Sequence, residues 1–225
     1  LDGLRERCQE YAGLGAKFAK WRAVITIRGD AHPSRACIAT NAHALARYAA
    51  LSQEAGLVPI VEPEVLMDGP HDIGRCAAVT EETLNAVYDE LYIQNVRLEA
   101  SLLKPNMVLS GTECPTQAPV DEVAQRTIEV LRRCVPAAVP GIVFLSGGQS
   151  DTLATEHLNA MNAMAANLPW RLSFSYGRAL QAAALKAWGG RAENVPAAQA
   201  AFLHRARLNG AATKGAWSAA MEQAA

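Results

Sequence analysis

Leu102-Leu103-Lys104-Pro105-Asn106-Met107 sets one cation at the end of an apolar run and closes the run with a proline. Residues 98–103 read as a strand, and Pro105 stops further pairing because it has no N–H to donate. Lys104 therefore falls at the carboxyl end of a buried strand, where α/β barrels and open α/β sheets place reactive groups. A single lysine is ordinarily a solvated surface residue. The ends of the neighbouring strands decide whether this one is.

Upstream, residues 18–27 (FAKWRAVITI) read as a strand with Lys20 and Arg22 on one face. A helix follows, opened by Ser34 as N-cap and ended by Gly56. Residues 57–65 (LVPIVEPEV) form the next strand, with Glu62 and Glu64 two apart at its end. Residues 68–76 read as a polar loop, 80–95 as a helix with Leu84, Val87 and Leu91 inward, and the strand to Lys104 comes next. Downstream, 109–119 is a loop, 120–134 a helix, 141–145 a short apolar strand, and Ser150 the N-cap of a helix through 164. Residues 171–176 are the last strand; Gly177-Arg178 opens a helix to Trp188, and another runs over 196–207.

Strand and helix alternate five times, which means parallel strands joined by helical crossovers. A closed (β/α)₈ barrel needs eight strands. Residues 4–14 read as a helix whose partner strand is not in the sequence, so the chain reads as about the last five βα units of a TIM barrel. The expected organisation is a single domain over 1–225, with a weakly ordered Ala-rich tail from about 210 to 225.

Composition narrows the function. The 225 residues carry a net charge of −1, so no basic face recommends nucleic acid and no charge asymmetry recommends a membrane. No apolar run has the length of a membrane span, and the first residues lack the pattern of a signal or transit peptide. Five irregularly spaced cysteines without a Cys-x-x-Cys read as reduced thiols in a cytoplasmic protein. His32, His43, His71, His157 and His204 are scattered, and none follows a strand at metal-ligand spacing, so no metal is expected.

The strand ends then carry, in order, Lys20 and Arg22, Glu62 and Glu64, Lys104, Ser146-Gly147-Gly148, and Gly177-Arg178. In a parallel barrel these ends share one face. The last two suit a phosphate: Gly147, Gly148 and Gly177 permit close backbone approach, and Arg178 supplies a bidentate donor. Lys104 is a candidate Schiff-base nucleophile. A lysine attacks a carbonyl only after losing its proton, and burial or a nearby cation such as Lys20 favours that loss. Glu62 or Glu64 can shuttle the proton.

The stretches LDGLRERC (1–8), FAKWR (18–22), LVPIVEPE (57–64), LLKPNMV (102–108), FLSGGQS (144–150), FSYGRALQAAALKAWGG (174–190) and AAQAAFLHRA (197–206) resemble class I fructose-bisphosphate aldolase, in order, from residue 1 to about 209. The resemblance implies a cytoplasmic glycolytic lyase that needs no cofactor, acts on sugar phosphates and assembles as a homotetramer. It implies that Lys104 forms the Schiff base, that Glu62 shuttles protons for the carbinolamine, and that Lys20 stands beside the imine carbon. By the same resemblance Glu64 supports the charge network, Arg22 lies towards the second phosphate, and Ser146, Gly147, Gly177 and Arg178 hold the C1 phosphate. The family's first three strands, with their aspartate base, have no counterpart in the sequence. The end, Glu222-Gln223-Ala224-Ala225, lacks the terminal tyrosine of eukaryotic members. The competing reading is a catalytically incompetent fragment acting as an interaction module.

Overall fold

A computed structural model describes residues 1–164 and 166–223. Its centre is a five-stranded parallel sheet in the order β1-β2-β3-β4-β5. The strands are β1 (Phe18–Ile25), β2 (Val58–Val65), β3 (Leu102–Leu103), β4 (Gly141–Phe144) and β5 (Arg171–Phe174). Helix α1 (Leu4–Gly13) precedes them; α2 (Arg35–Glu54), α3 (Ile73–Ile93), α4 (Val120–Cys134), α5 (Asp151–Met164) and α6 (Arg178–Trp188) each follow a strand, and α7 (Val195–Ala212) ends the series. Sequential order with a helix after every strand is the βα repeat that the alternation predicted.

Side-chain alternation gives the sheet two distinct faces. Ala23, Ile25, Val61, Val65 and Leu103 are buried in clusters with residues of the helices, such as Ala42, Leu45, Ala49, Leu84, Leu91, Ile128 and Leu131. The intervening positions of β1 and β2, Lys20, Arg22, Glu62 and Glu64, take the other face. Period two thus sends alternate residues to the core and leaves the charges to be gathered at the strand ends.

Three expectations change. The strand foreseen over 98–103 is a 3₁₀ turn, Leu98–Ala100, followed by only two strand residues. The cause is a set of side-chain bonds that replace the ladder. Gln53 Nε2 donates to the carbonyls of Arg97 and Ala100, Gln53 Oε1 accepts from Arg97 N–H, and Ser101 Oγ donates to Leu98 O. Helix α3 begins seven residues before residue 80, the expected start. Asp72 caps it, accepting from Arg75 N–H at 2.7 Å, so half of the supposed loop 68–76 is helix. The segment from residue 210 also has structure: α7 reaches Ala212 and a 3₁₀ turn spans Ala219–Gln223. Buried Arg205 draws it in, with Nη1 and Nη2 donating to the two carboxylate oxygens of Glu222 at 2.7 and 2.8 Å, while Trp217 Nε1 donates to Glu222 and its N–H to Asn159.

Candidate active site

Register brings the charges together. Arg22 lies opposite Glu62 and Val24 opposite Glu64, and the ion pairs run one step diagonally, Lys20 to Glu62 and Arg22 to Glu64. On the other side of β2, Val61 lies opposite Leu103, and the Lys104 N–H donates to Val61 O at 2.7 Å. Lys104 therefore leaves its short strand beside Glu62. Its Nζ is 3.1 Å from Glu62 Oε1, while Nζ of Lys20 is 2.8 Å from Oε2. The Lys20 contact is an ion pair without the alignment of a hydrogen bond. Glu62 is 3% exposed and Lys104 9%, whereas the Lys20 side chain is 41% exposed. One carboxylate is thus held between a buried amine and a half-open cation, the arrangement needed to move a proton at Lys104 Nζ.

Arg22 Nε donates to Glu64, and that bond raises the guanidinium pKa above its ordinary value. The guanidinium of this second pair therefore keeps its charge. Tyr48 supports the platform from α2: its hydroxyl lies 2.6 Å from Ala19 O, to which it donates, and 3.2 Å from Ile60 O, tying β1 to β2 beside Lys20. Burial raises its pKa, so the hydroxyl keeps its proton.

Asn106 fixes the chain beyond Lys104. Its Oδ1 accepts from Val65 N–H at 3.0 Å, and Nδ2 donates to Thr80 Oγ1 and Met107 O at 3.1 and 3.0 Å. The last residue of β2, α3 and the Lys104 strand end are joined by one buried amide. Leu145 N–H donates to Pro105 O at 3.2 Å, which links Lys104 to the next loop.

That loop carries Ser146, buried, and Gly147, whose φ of +58° favours glycine. A Cβ at Gly147 would also come within 3.1 Å of Met67 Sδ. Arg178 Nη2 donates to Gly147 O at 2.6 Å, so the last two strand ends meet. Gly177 caps α6, its carbonyl accepting from Leu180 and Gln181 N–H. Gly148 differs from the expectation of a backbone open to phosphate: its N–H is directed to Met67 Sδ at 2.9 Å.

Lys20 and Lys104 therefore both contact Glu62, Arg22 and Glu64 pair beside them, and Gly147 and Arg178 pair across the adjoining loops. Asn106, Tyr48, Met67 and Gln149 were not singled out in the sequence. Asn106 carried a readable signal, the one uncharged polar side chain in the run from Leu102 to Leu109. Tyr48 and Met67 carried none, because their roles depend on which loops meet. Among the described residues no group of three or more His, Cys, Asp and Glu is gathered as for a metal ion, and no helix is long and apolar enough to cross a membrane.

A parallel βα sheet with a buried carboxylate held between two lysines at its strand ends defines the class: a β/α-barrel protein with a lysine-centred site. The family model described as class-I fructose-bisphosphate aldolase matches residues 1–225, and the chain belongs to that family. It is 59% identical over 218 residues to a probable fructose-bisphosphate aldolase class 1 of Xylella fastidiosa, covering 96% of this chain and 65% of that protein. It is 58% identical over 217 residues to the cytosolic fructose-bisphosphate aldolase 6 of Arabidopsis thaliana, covering 96% of this chain and 60% of that one. A solved fructose-bisphosphate aldolase of Plasmodium falciparum, in complex with TRAP and a small-molecule inhibitor, superposes with a TM-score of 0.94 at 50% identity, over 96% of this chain and 62% of that chain. The chain thus spans somewhat under two thirds of the length of these relatives.

Proposed function

We propose that this chain carries the Schiff-base centre of a class I aldolase that reversibly cleaves fructose 1,6-bisphosphate to dihydroxyacetone phosphate and glyceraldehyde 3-phosphate. The observation that carries this reading is the buried Glu62 carboxylate between Lys104 and Lys20. Lys104 Nζ, as the free amine, adds to the C2 ketone and gives a carbinolamine. Glu62 delivers a proton to its oxygen, water leaves, and an iminium forms. The C3–C4 bond then breaks as the C4 hydroxyl loses its proton to a base. Its electron pair moves into the iminium, forming an enamine, and the aldehyde departs. Protonation at C3 and hydrolysis of the imine return Lys104 and release the ketone. The iminium is the electron sink, so this route needs no metal.

Lys20, beside Glu62, stabilises the carboxylate each time the proton moves away. Arg22 and Glu64 form a fixed charge pair on the side of β1, suited to the far phosphate. Ser146, Gly147, Gly177 and Arg178 receive the C1 phosphate. The family relation supports this assignment, as do cytosolic names among the relatives for a cytoplasmic location. A homo-oligomer, a tetramer as is usual in the family, completes the proposal.

The test is fructose 1,6-bisphosphate cleavage by the purified chain, coupled to reduction of the triose products. Cleavage that survives a chelator and disappears in Lys104→Met agrees with this account. Cleavage by Lys104→Met at the parent's rate overturns it, and a parent chain that traps no ketone on Lys104 under borohydride favours the interaction-module reading.

A further inference from the structure

Behind the loop that begins at Ser146 lies a buried polar chain that the proposed chemistry leaves unused. Gln149 N–H donates to Ser146 O at 3.1 Å, and Gln149 Nε2 donates to the same carbonyl at 3.0 Å. A carbonyl only accepts, so the amide nitrogen must sit on that side and Oε1 must face away. Oε1 lies 2.6 Å from Nδ1 of His157, on α5. Oε1 also only accepts, so Nδ1 must carry the proton. His157 is 2% exposed and Gln149 8%, so water does not compete for these groups. Burial lowers the imidazole pKa to about 4, which keeps the ring neutral under ordinary conditions. A neutral imidazole has one N–H, and here the hydrogen bond fixes which nitrogen bears it.

The consequence reaches the site through the peptide plane. In a trans peptide the carbonyl of Ser146 and the N–H of Gly147 point in opposite directions. Two donors from Gln149 hold that carbonyl inward, so the Gly147 N–H is aimed the other way. The following Gly147 carbonyl is taken by Arg178. A histidine that could rotate the Gln149 amide would release one of the two inward bonds, and the peptide with it.

We propose that His157 is a positioning residue: through Gln149 it fixes the direction of the Gly147 N–H toward a bound phosphate. The proposal rests on the phosphate-site reading given above and adds to it a residue remote from the reacting atoms.

The experiment is nuclear magnetic resonance on the ¹⁵N-labelled 225-residue chain, with inorganic phosphate as the probe. The histidine nitrogen shifts should show His157 neutral and protonated on Nδ1. His157→Phe, which removes the donor, should speed amide exchange at Gly147 and weaken phosphate binding read at that amide by about tenfold, the worth of one hydrogen bond. His157→Asn places an amide N–H where Nδ1 stood and should restore both readouts to within about twofold of the parent. A fold merely perturbed by cavity formation would not be rescued by the smaller asparagine. Gln149→Leu should match His157→Phe, and the double variant should lose no more. The idea is overturned by a parent His157 protonated on Nε2, a measurement that needs no variant, or by His157→Phe binding phosphate as the parent does. A parent that binds no phosphate refutes the phosphate-site reading; the tautomer and the exchange rates then decide the His157 link by themselves.

Discussion

Glu62 shows how much one residue depends on register. A one-residue slip between β1 and β2 would leave the pleat intact and turn either the lysine or the glutamate to the opposite face. Buried carboxylates need partners, and removing one partner of such a pair typically costs about 3–5 kcal/mol. Lys20, Glu62 and Lys104 were all legible in the sequence because charges at period two in apolar strands are conspicuous. His157 was not: the sequence offers it only as a scattered histidine, and its value comes from Gln149, eight residues earlier, reached across the first turns of α5. It yields a prediction at this scale. The folded state holds the imidazole at about 4 against an ordinary 6.5, so folding favours the neutral ring. Its contribution is intact above about pH 6.5 and is lost as pH falls from there towards 4, by up to about 3 kcal/mol. Urea unfolding at pH 7 and pH 4.5 should show a larger loss for the parent than for His157→Asn. His71, whose pKa burial also lowers, contributes the same direction to both proteins and cancels in the comparison.

Elements were read well where one signal dominated and poorly where side chains replaced backbone pairing. Helix α4 matches its expected span at both ends because Pro119 and Pro136 bracket an amphipathic run. Strand β3 falls short because Gln53, forty-four residues from Arg97, satisfies backbone groups that a ladder would have used. Nothing local reveals that. The start of α3 is hidden in the sequence because Asp72 and Gly74 look like turn residues, although Asp72 is the cap. Asn106 is the element-scale joint, holding the end of β2, α3 and the Lys104 strand end with one amide. Asn106→Ala leaves the buried Val65 N–H without its acceptor and should destabilise the chain by about 1–3 kcal/mol in urea unfolding. Its effect on Lys104 should exceed that of a surface change of equal energy, because the residue two before it carries the amine. Trapping of a ketone by Asn106→Ala, slower than by the parent while the protein remains folded, is the expected result.

At the scale of the molecule, β1 pairs only with β2 and β5 only with β4 among the described residues, so the sheet has two open edges. That open form is why Lys20 and Arg22 are half exposed, although Glu62 and Glu64 are buried. The overall order of five βα units was legible because hydrophobic period and punctuating Gly and Pro recur along the chain. The folded end was not, because Arg205 and Glu222 meet only once α7 is formed. The proposed chemistry would have all five strand ends serve one molecule, with amine and carboxylate from β1 to β3 and phosphate donors after β4 and β5. The most direct measurement is reduction with borohydride in the presence of dihydroxyacetone phosphate, followed by mass mapping of the modified peptide. The account predicts a single adduct on Lys104, formed more readily with the phosphorylated ketone than with dihydroxyacetone and absent in Lys104→Met. An adduct on Lys20 or another lysine, with Lys104 unmodified, would contradict it.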